Sequence, residues 1–214
     1  MSKAILRYIY DPLCGWCYGA SPLVEAARAM PGLAITLHGG GLMTGANRRP
    51  VTPALRGFIM QHDKRIAALT DLPFGEAYFD GLLRDSAVTL DSQPPIAAIL
   101  AAETLQGRGL DLLARLQSAH YVEGLRISEA KTLAELAAGI GLDPAGFQAA
   151  FETALGQSGQ AHIEESRKLL AQADGEGFPT FILETQGGLE RLNHASYYGK
   201  PGLWPSYLES RLGQ

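Results

Sequence analysis

The chain is 214 residues long, 46% apolar and 19% charged, with a formal net charge of −4 at neutral pH. That is the composition of an ordinary globular protein, and a mildly acidic balance without runs of like charge argues against nucleic acid or an anionic membrane as partner. No apolar stretch approaches the roughly 20 residues of a membrane helix, and no basic segment leads into an apolar one at the N-terminus, so a cytoplasmic location is expected.

In chain order, Ala4-Ile5-Leu6-Arg7-Tyr8-Ile9-Tyr10 reads as a strand starting at Lys3 or Ala4. Cys14-Gly15-Trp16-Cys17 follows, holding both cysteines of the chain. Two cysteines placed at random in this length fall three apart only about one time in a hundred. The motif opens a helical stretch expected from about Cys14 to Met30. In a reducing compartment such a pair is redox-active or metal-binding rather than a structural staple. A zinc site needs two further soft ligands, and neither a second cysteine pair nor a clustered histidine pair is present, so no metal is expected.

A second strand is expected over Leu33–His38, with Leu33, Ile35 and Leu37 as its buried side. Gly39-Gly40-Gly41 breaks it; lacking a lysine at the required spacing, the run reads as a turn rather than a phosphate loop. Arg48-Arg49 reads as a solvated loop, or as a contact for an anionic substrate such as a glutathione carboxylate. From Thr52 to Ala173 the pattern is helical, with room for five to seven helices. Thr52-Pro53, Pro94-Pro95 and Asp143-Pro144 mark starts, and Thr132 with Glu135 predicts a capping box. His38, His62, His120, His162 and His194 are scattered and read as surface or core residues.

Extended structure returns at Thr180–Leu183 and Leu189–Leu192, joined by a turn at Gln186-Gly187-Gly188. A final helix follows Pro201 or Pro205, carrying Trp204, Tyr207, Leu208, Arg211 and Leu212 on one stripe. The order is βαβ, helices, then ββα.

Strand, C-x-x-C, helix and a late Gly177-Phe178-Pro179-Thr180 leading into a strand together resemble the thioredoxin superfamily. The helical segment between the halves is similar to its DsbA-like branch, with FrnE-type oxidoreductases, kappa-class glutathione transferases and hydroxychromene-carboxylate isomerases. Asp11-Pro12-Leu13-Cys14-Gly15-Trp16-Cys17-Tyr18-Gly19 resembles a cytosolic bacterial group of predicted protein-disulfide isomerases, and Pro22 matches the proline that kinks the active-site helix. The resemblance implies an α/β thioredoxin-like fold formed by residues 1–48 and 173–214, with an inserted helical domain over 49–172.

It also implies the chemistry. A free thiol is only about 3% ionised at pH 7, and lowering its pKa by about 2.5 costs about 3.4 kcal/mol. A helix dipole supplies about 0.3–1 kcal/mol, so first-turn N–H groups and the Cys17 thiol must supply the rest, which requires Cys14 at the N-cap. Cys14 is then the nucleophile and Cys17 the resolving thiol of a redox-active disulfide, tuned by Gly15 and Asp11. Trp16, Phe178 and Pro179 receive the substrate, with Phe178-Pro179 cis. The expected activity is thiol–disulfide exchange or disulfide isomerisation on peptide or protein thiols. No bound cofactor is expected, and glutathione is a candidate co-substrate. The alternative is a glutathione-dependent transferase or isomerase of the kappa or hydroxychromene-carboxylate type, against which Cys17 argues. In the family a buried acid commonly lies six residues before the first cysteine. Here that residue is Tyr8, leaving Asp11 or a water to take the second thiol's proton. The oligomeric state is not read from the sequence.

Overall fold

A computed structural model describes residues 4–212; Lys3, one of the two expected starts of the first strand, lies outside the described residues. β1 (Ala4–Tyr10) is the inner strand on which the fold is built. Leu6, Tyr8, Ile9 and Tyr10 are each at most 1% exposed, which explains a nearly continuous apolar run in place of strict alternation. β2 (Leu33–Gly39) pairs parallel to β1, with Leu6 opposite Ile35. A two-residue ladder of β3 (Arg49–Pro50) and β4 (Thr89–Leu90) stands apart. β5 (Thr180–Thr185) pairs antiparallel on the other side of β1, and β6 (Gly188–Arg191) completes the order β2–β1–β5–β6. This is the thioredoxin-like α/β fold with a helical insertion that the sequence resembles.

The helix expected over 14–30 is two helices, α1 (Gly15–Gly19) and α2 (Ser21–Arg28), parted at Ala20. Pro22 lies in the first turn of α2, where its missing N–H costs nothing; inside one continuous helix it would break a hydrogen bond. The expected alternation in β2 is also absent. Leu33 to His38 are all half-buried, because α2 and a later helix both pack on this strand.

Between β2 and β5 lie α3 (Pro53–Thr70), α4 (Gln93–Gln106), α5 (Gly109–Tyr121), α6 (Ala130–Gly139), α7 (Pro144–Leu155) and α8 (Gln157–Gln172), with a π-helical turn at Ala77–Gly81. Thr52 and Asp143 cap as expected, accepting from Leu55 N at 3.1 Å and Gly146 N at 2.7 Å. The capping box does not form: α6 starts at Ala130, so Thr132 is already inside the helix and extended Glu129 is the N-cap. The start is set upstream, where Ser128 Oγ donates to Asp91 O and accepts from Asp91 N, tying the loop to the residue after β4.

α8 is the helix that returns to β2. Gly39 N donates to His162 Nε2 at 2.9 Å, and Arg167 donates to the carbonyls of Gly40 and Gly41 at 2.8 and 2.6 Å. The inserted helices and the sheet therefore share one apolar core. Gln186-Gly187 forms a two-residue link between β5 and β6, and Gly188, expected in the turn, opens β6 at φ 118. α9 (Trp204–Leu212) starts at Trp204, burying Trp204 and Leu208 completely and pairing Arg211 with Glu190.

Candidate active site at the end of the central strands

Ile9 lies opposite Thr180 in the antiparallel β1–β5 ladder, so the chain leaving β1 and the chain entering β5 meet at one end of the sheet. The first carries Cys14-Gly15-Trp16-Cys17 and the second carries Phe178-Pro179. Cys14 Sγ donates to the Phe178 carbonyl at 3.4 Å, and the Phe178–Pro179 peptide bond is cis.

Cys14 is the extended N-cap of α1 (φ −91°, ψ 113°) and its carbonyl accepts from Cys17 N and Tyr18 N at 2.9 and 3.1 Å. Both cysteines are free thiols. Cys14 keeps 8% of its surface whereas Cys17 keeps none, so the two sulfurs differ in access. Burial pushes the Cys17 thiol well up, and its hydrogen bond to Cys14 pushes it further. α1 is only five residues long and none of its first-turn N–H groups bonds to the Cys14 side chain, so the expected amide capping of that sulfur is not made; Cys14 Sγ meets the Phe178 carbonyl instead.

Tyr8 stands where the resembled family commonly has an acid. Its hydroxyl donates to the Cys17 carbonyl at 3.2 Å, and its ring stacks between Tyr10 and Phe181. Asp11 is fully buried, and burial pushes its carboxyl up to about 6. Its oxygens are already engaged: Oδ1 accepts from Leu13 N and Ser92 Oγ, both at 2.9 Å, and Oδ2 from Leu42 N at 2.6 Å. It meets Cys17 through its backbone N–H, 3.4 Å from the sulfur. Asp11 thus shapes the loop and holds Cys17 from the main chain.

A second buried acid, Asp63 of α3, reaches the motif from the insertion. It is 3% exposed, and Tyr78 Oη donates to its Oδ2 at 2.8 Å. Burial pushes this carboxyl up to about 7 against the lowering effect of that hydrogen bond. A Cβ at Gly15 would overlap Asp63 Oδ1, and one at Gly19 would fall 2.8 Å from Ile66 Cγ2. The two glycines, four apart, let α1 lie against α3 with no side chain between them. The sequence reading missed Asp63 because it sits in the polar run Gln61-His62-Asp63-Lys64-Arg65, which looks like a solvated face. The Gly15–Gly19 spacing was the available signal for a close helix contact.

Beside the dithiol is a groove of about 290 Å³ lined by Trp16, Arg65, Phe178, Pro179, His194 and Tyr198, among others. Trp16 is half-buried there; Tyr198 Oη donates to its carbonyl at 3.0 Å, and the Arg65 guanidinium lies 5.7 Å from its ring. Burial holds His194 down at about 4, so it is neutral near pH 7. The glycine run is more than a turn, since a Cβ on Gly40 would overlap the Phe178 ring. Arg48 lies 3.7 Å from Asp91 and is not among the groove residues, where Arg65 is the arginine.

The family described as DSBA-like thioredoxin domain matches residues 6–196. Cytosolic disulfide reductase DsbM from Pseudomonas aeruginosa is 52% identical, with a TM-score of 0.91 over 97% of this chain and 98% of that one. A structure of DsbM with GSH gives 50% identity and a TM-score of 0.91 over 98% and 100% of the two chains. Pseudomonas aeruginosa DsbA (15% identity, TM-score 0.55, 98% and 81% covered) and a 2-hydroxychromene-2-carboxylate isomerase (14%, 0.58, 98% and 94%) share the fold alone. No curated protein sequence matches the chain. The chain belongs to the DSBA-like thioredoxin domain family, as a thiol–disulfide oxidoreductase of the DsbA/DsbM type.

Proposed function

We propose that this chain reduces peptide and protein disulfides in the cytoplasm with glutathione as the thiol source, Cys14 acting as nucleophile and Cys17 as resolving thiol. Cys14 thiolate attacks a substrate disulfide; its S–S bond breaks, a mixed disulfide forms on Cys14, and one thiolate leaves. Cys17 gives up its proton and attacks Cys14 Sγ, forming the Cys14–Cys17 disulfide and releasing the second thiolate. One glutathione thiolate then opens that disulfide at Cys14, and a second releases oxidised glutathione. The balance is one disulfide and two glutathiones in, two thiols and one glutathione disulfide out. Isomerisation would use the first attack alone, with a substrate thiol in place of Cys17.

The observation that carries this reading is the unequal pair: Cys14 keeps some surface and faces the Phe178 carbonyl, while Cys17 is sealed behind it. The 50% identical protein solved with GSH supports glutathione as the partner, and the name of DsbM supports the reductive direction and the cytosol. Trp16, Phe178 and Pro179 would seat the chain on either side of the reacting sulfur. Arg65, with no ion pair among the described residues, would meet a carboxylate of glutathione. In this reading residues 49–172 form the inserted domain, whose α3 completes one wall of the groove.

Glutathione-coupled reduction of a disulfide peptide tests the proposal. Cys14→Ser should abolish turnover, and Cys17→Ala, mixed with the peptide before glutathione is added, should stop after one mixed disulfide. Full turnover by Cys17→Ala would instead fit the transferase-type chemistry, and turnover by Cys14→Ser would remove the assignment.

A further inference from the structure

The resembled family's usual strand acid is absent at Tyr8, and the carboxylate of Asp11, whose charge also pushes the Cys17 thiol up, is occupied by three donors. Asp63 is less engaged. Only its Oδ2 has a hydrogen-bond partner among the described residues, Tyr78, and its Oδ1 lies against the Gly15 backbone between the two cysteines. The space that admits it exists because residue 15 has no side chain.

We infer that Asp63, supplied by the helical insertion, is a positioning residue whose protonation is coupled to the redox state of the Cys14–Cys17 pair. When the disulfide is reduced and Cys14 carries negative charge, a carboxylate against the Gly15 backbone is disfavoured and Asp63 takes up a proton. When the thiolate is consumed in the disulfide, that proton is released. Two acids that repel each other titrate as one coupled system, with macroscopic steps belonging to the pair.

The groups facing Asp63 are few. Tyr78 donates to it from the π-helical turn, His120 of α5 packs edge-on against the Tyr78 ring, and Tyr121 of the same helix lies 5.3 Å from that ring. Burial pushes the Tyr121 hydroxyl well up, and the charges of Tyr78, Asp63, Cys14 and Cys17 all push it further, so these groups share one low-dielectric region. Burial also holds His120 down at about 4, leaving it neutral where Asp63 titrates. His62, Lys64 and Arg65 are its neighbours in sequence on α3. None of these neighbours changes charge with redox state; the cysteine pair on either side of Gly15 does.

This rests on Cys14 and Cys17 being the redox pair, and the test separates the two. Carbon-13 NMR of the wild-type Asp63 carboxyl is followed through pH in the oxidised and reduced protein. The midpoint should be higher in the reduced protein by about half a pH unit or more; identical midpoints would overturn the inference, even with turnover intact. In Asp63→Asn, the pH profile of Cys14 alkylation should lose one titration and become a single curve. Gly15→Ala, whose Cβ would overlap the carboxyl, should also change that profile in wild type. A two-step profile persisting in Asp63→Asn would also overturn it.

Discussion

Cys14 Sγ and the Phe178 carbonyl lie 3.4 Å apart across 164 residues of sequence. The antiparallel pairing of β1 with β5 produces this meeting, and the glycine run after β2 preserves it by leaving room for the Phe178 ring. Gly40→Ala drives a Cβ into that ring. Overpacking of this kind costs about 1–3 kcal/mol. Because the ring must swing away, KM for a peptide disulfide should rise more than kcat falls. Steady-state kinetics with a thermal melt checks both, and an unchanged KM would separate the glycine run from the groove.

Arg65→Gln breaks no ion pair among the described residues and removes only the contact with the Trp16 ring. Removing one charge-assisted contact worth about 1.5–3 kcal/mol should raise KM for glutathione disulfide by about 10-fold or more. The same variant, recycled by dithiothreitol in place of glutathione, should handle an uncharged hydroxyethyl disulfide normally, and the difference should shrink with added salt. Equal losses on both substrates would contradict the carboxylate contact.

Asp63→Asn has a pH-dependent effect on stability whose sign follows from burial. The folded carboxyl is pushed from 3.8 up to about 7, so the folded state binds the proton more tightly than the unfolded one. Stability is therefore lost as pH rises from about 4 through about 7, by at most about 4 kcal/mol. Asparagine keeps an acceptor for Tyr78 and removes the ionisation. The variant should match wild type near pH 4 and melt higher at pH 8; a gap that is constant with pH would refute this.

Much of this was legible in the sequence, and the exceptions share a cause. β1, the C-x-x-C, the late Phe178-Pro179 and the final helix announce themselves through runs and spacings that act locally. What was hidden depends on partners distant in sequence. Asp63 reads as one polar residue among five until α3 is laid against Gly15 and Gly19. Gly40 reads as a turn residue until Phe178 arrives from the other half of the chain. The break at Ala20 lies beside Pro22, the residue that the resemblance already marked as a kink, whereas the start of α6 was misplaced because the Ser128–Asp91 bonds that set it join residues 37 apart.

Asp11→Ala separates structure from chemistry at the buried acid of the loop after β1. It leaves Leu13 N, Leu42 N and Ser92 Oγ without their acceptor, and unsatisfied buried donors cost about 1–3 kcal/mol each. A large drop in denaturation midpoint is expected, on the order of 3 kcal/mol or more. Ser92→Ala, losing one of the three bonds together with the acceptor of Met43 N, should cost about 1–3 kcal/mol. A denaturant titration that finds Asp11→Ala as stable as wild type would show that those bonds do not hold the loop.

The most direct measurement of the central claim is mass spectrometry of the Cys17→Ala protein after exposure to oxidised glutathione. One glutathione on Cys14, released by added thiol, is the predicted result. No adduct on Cys14 under conditions that oxidise the wild-type pair would contradict Cys14 as the attacking sulfur.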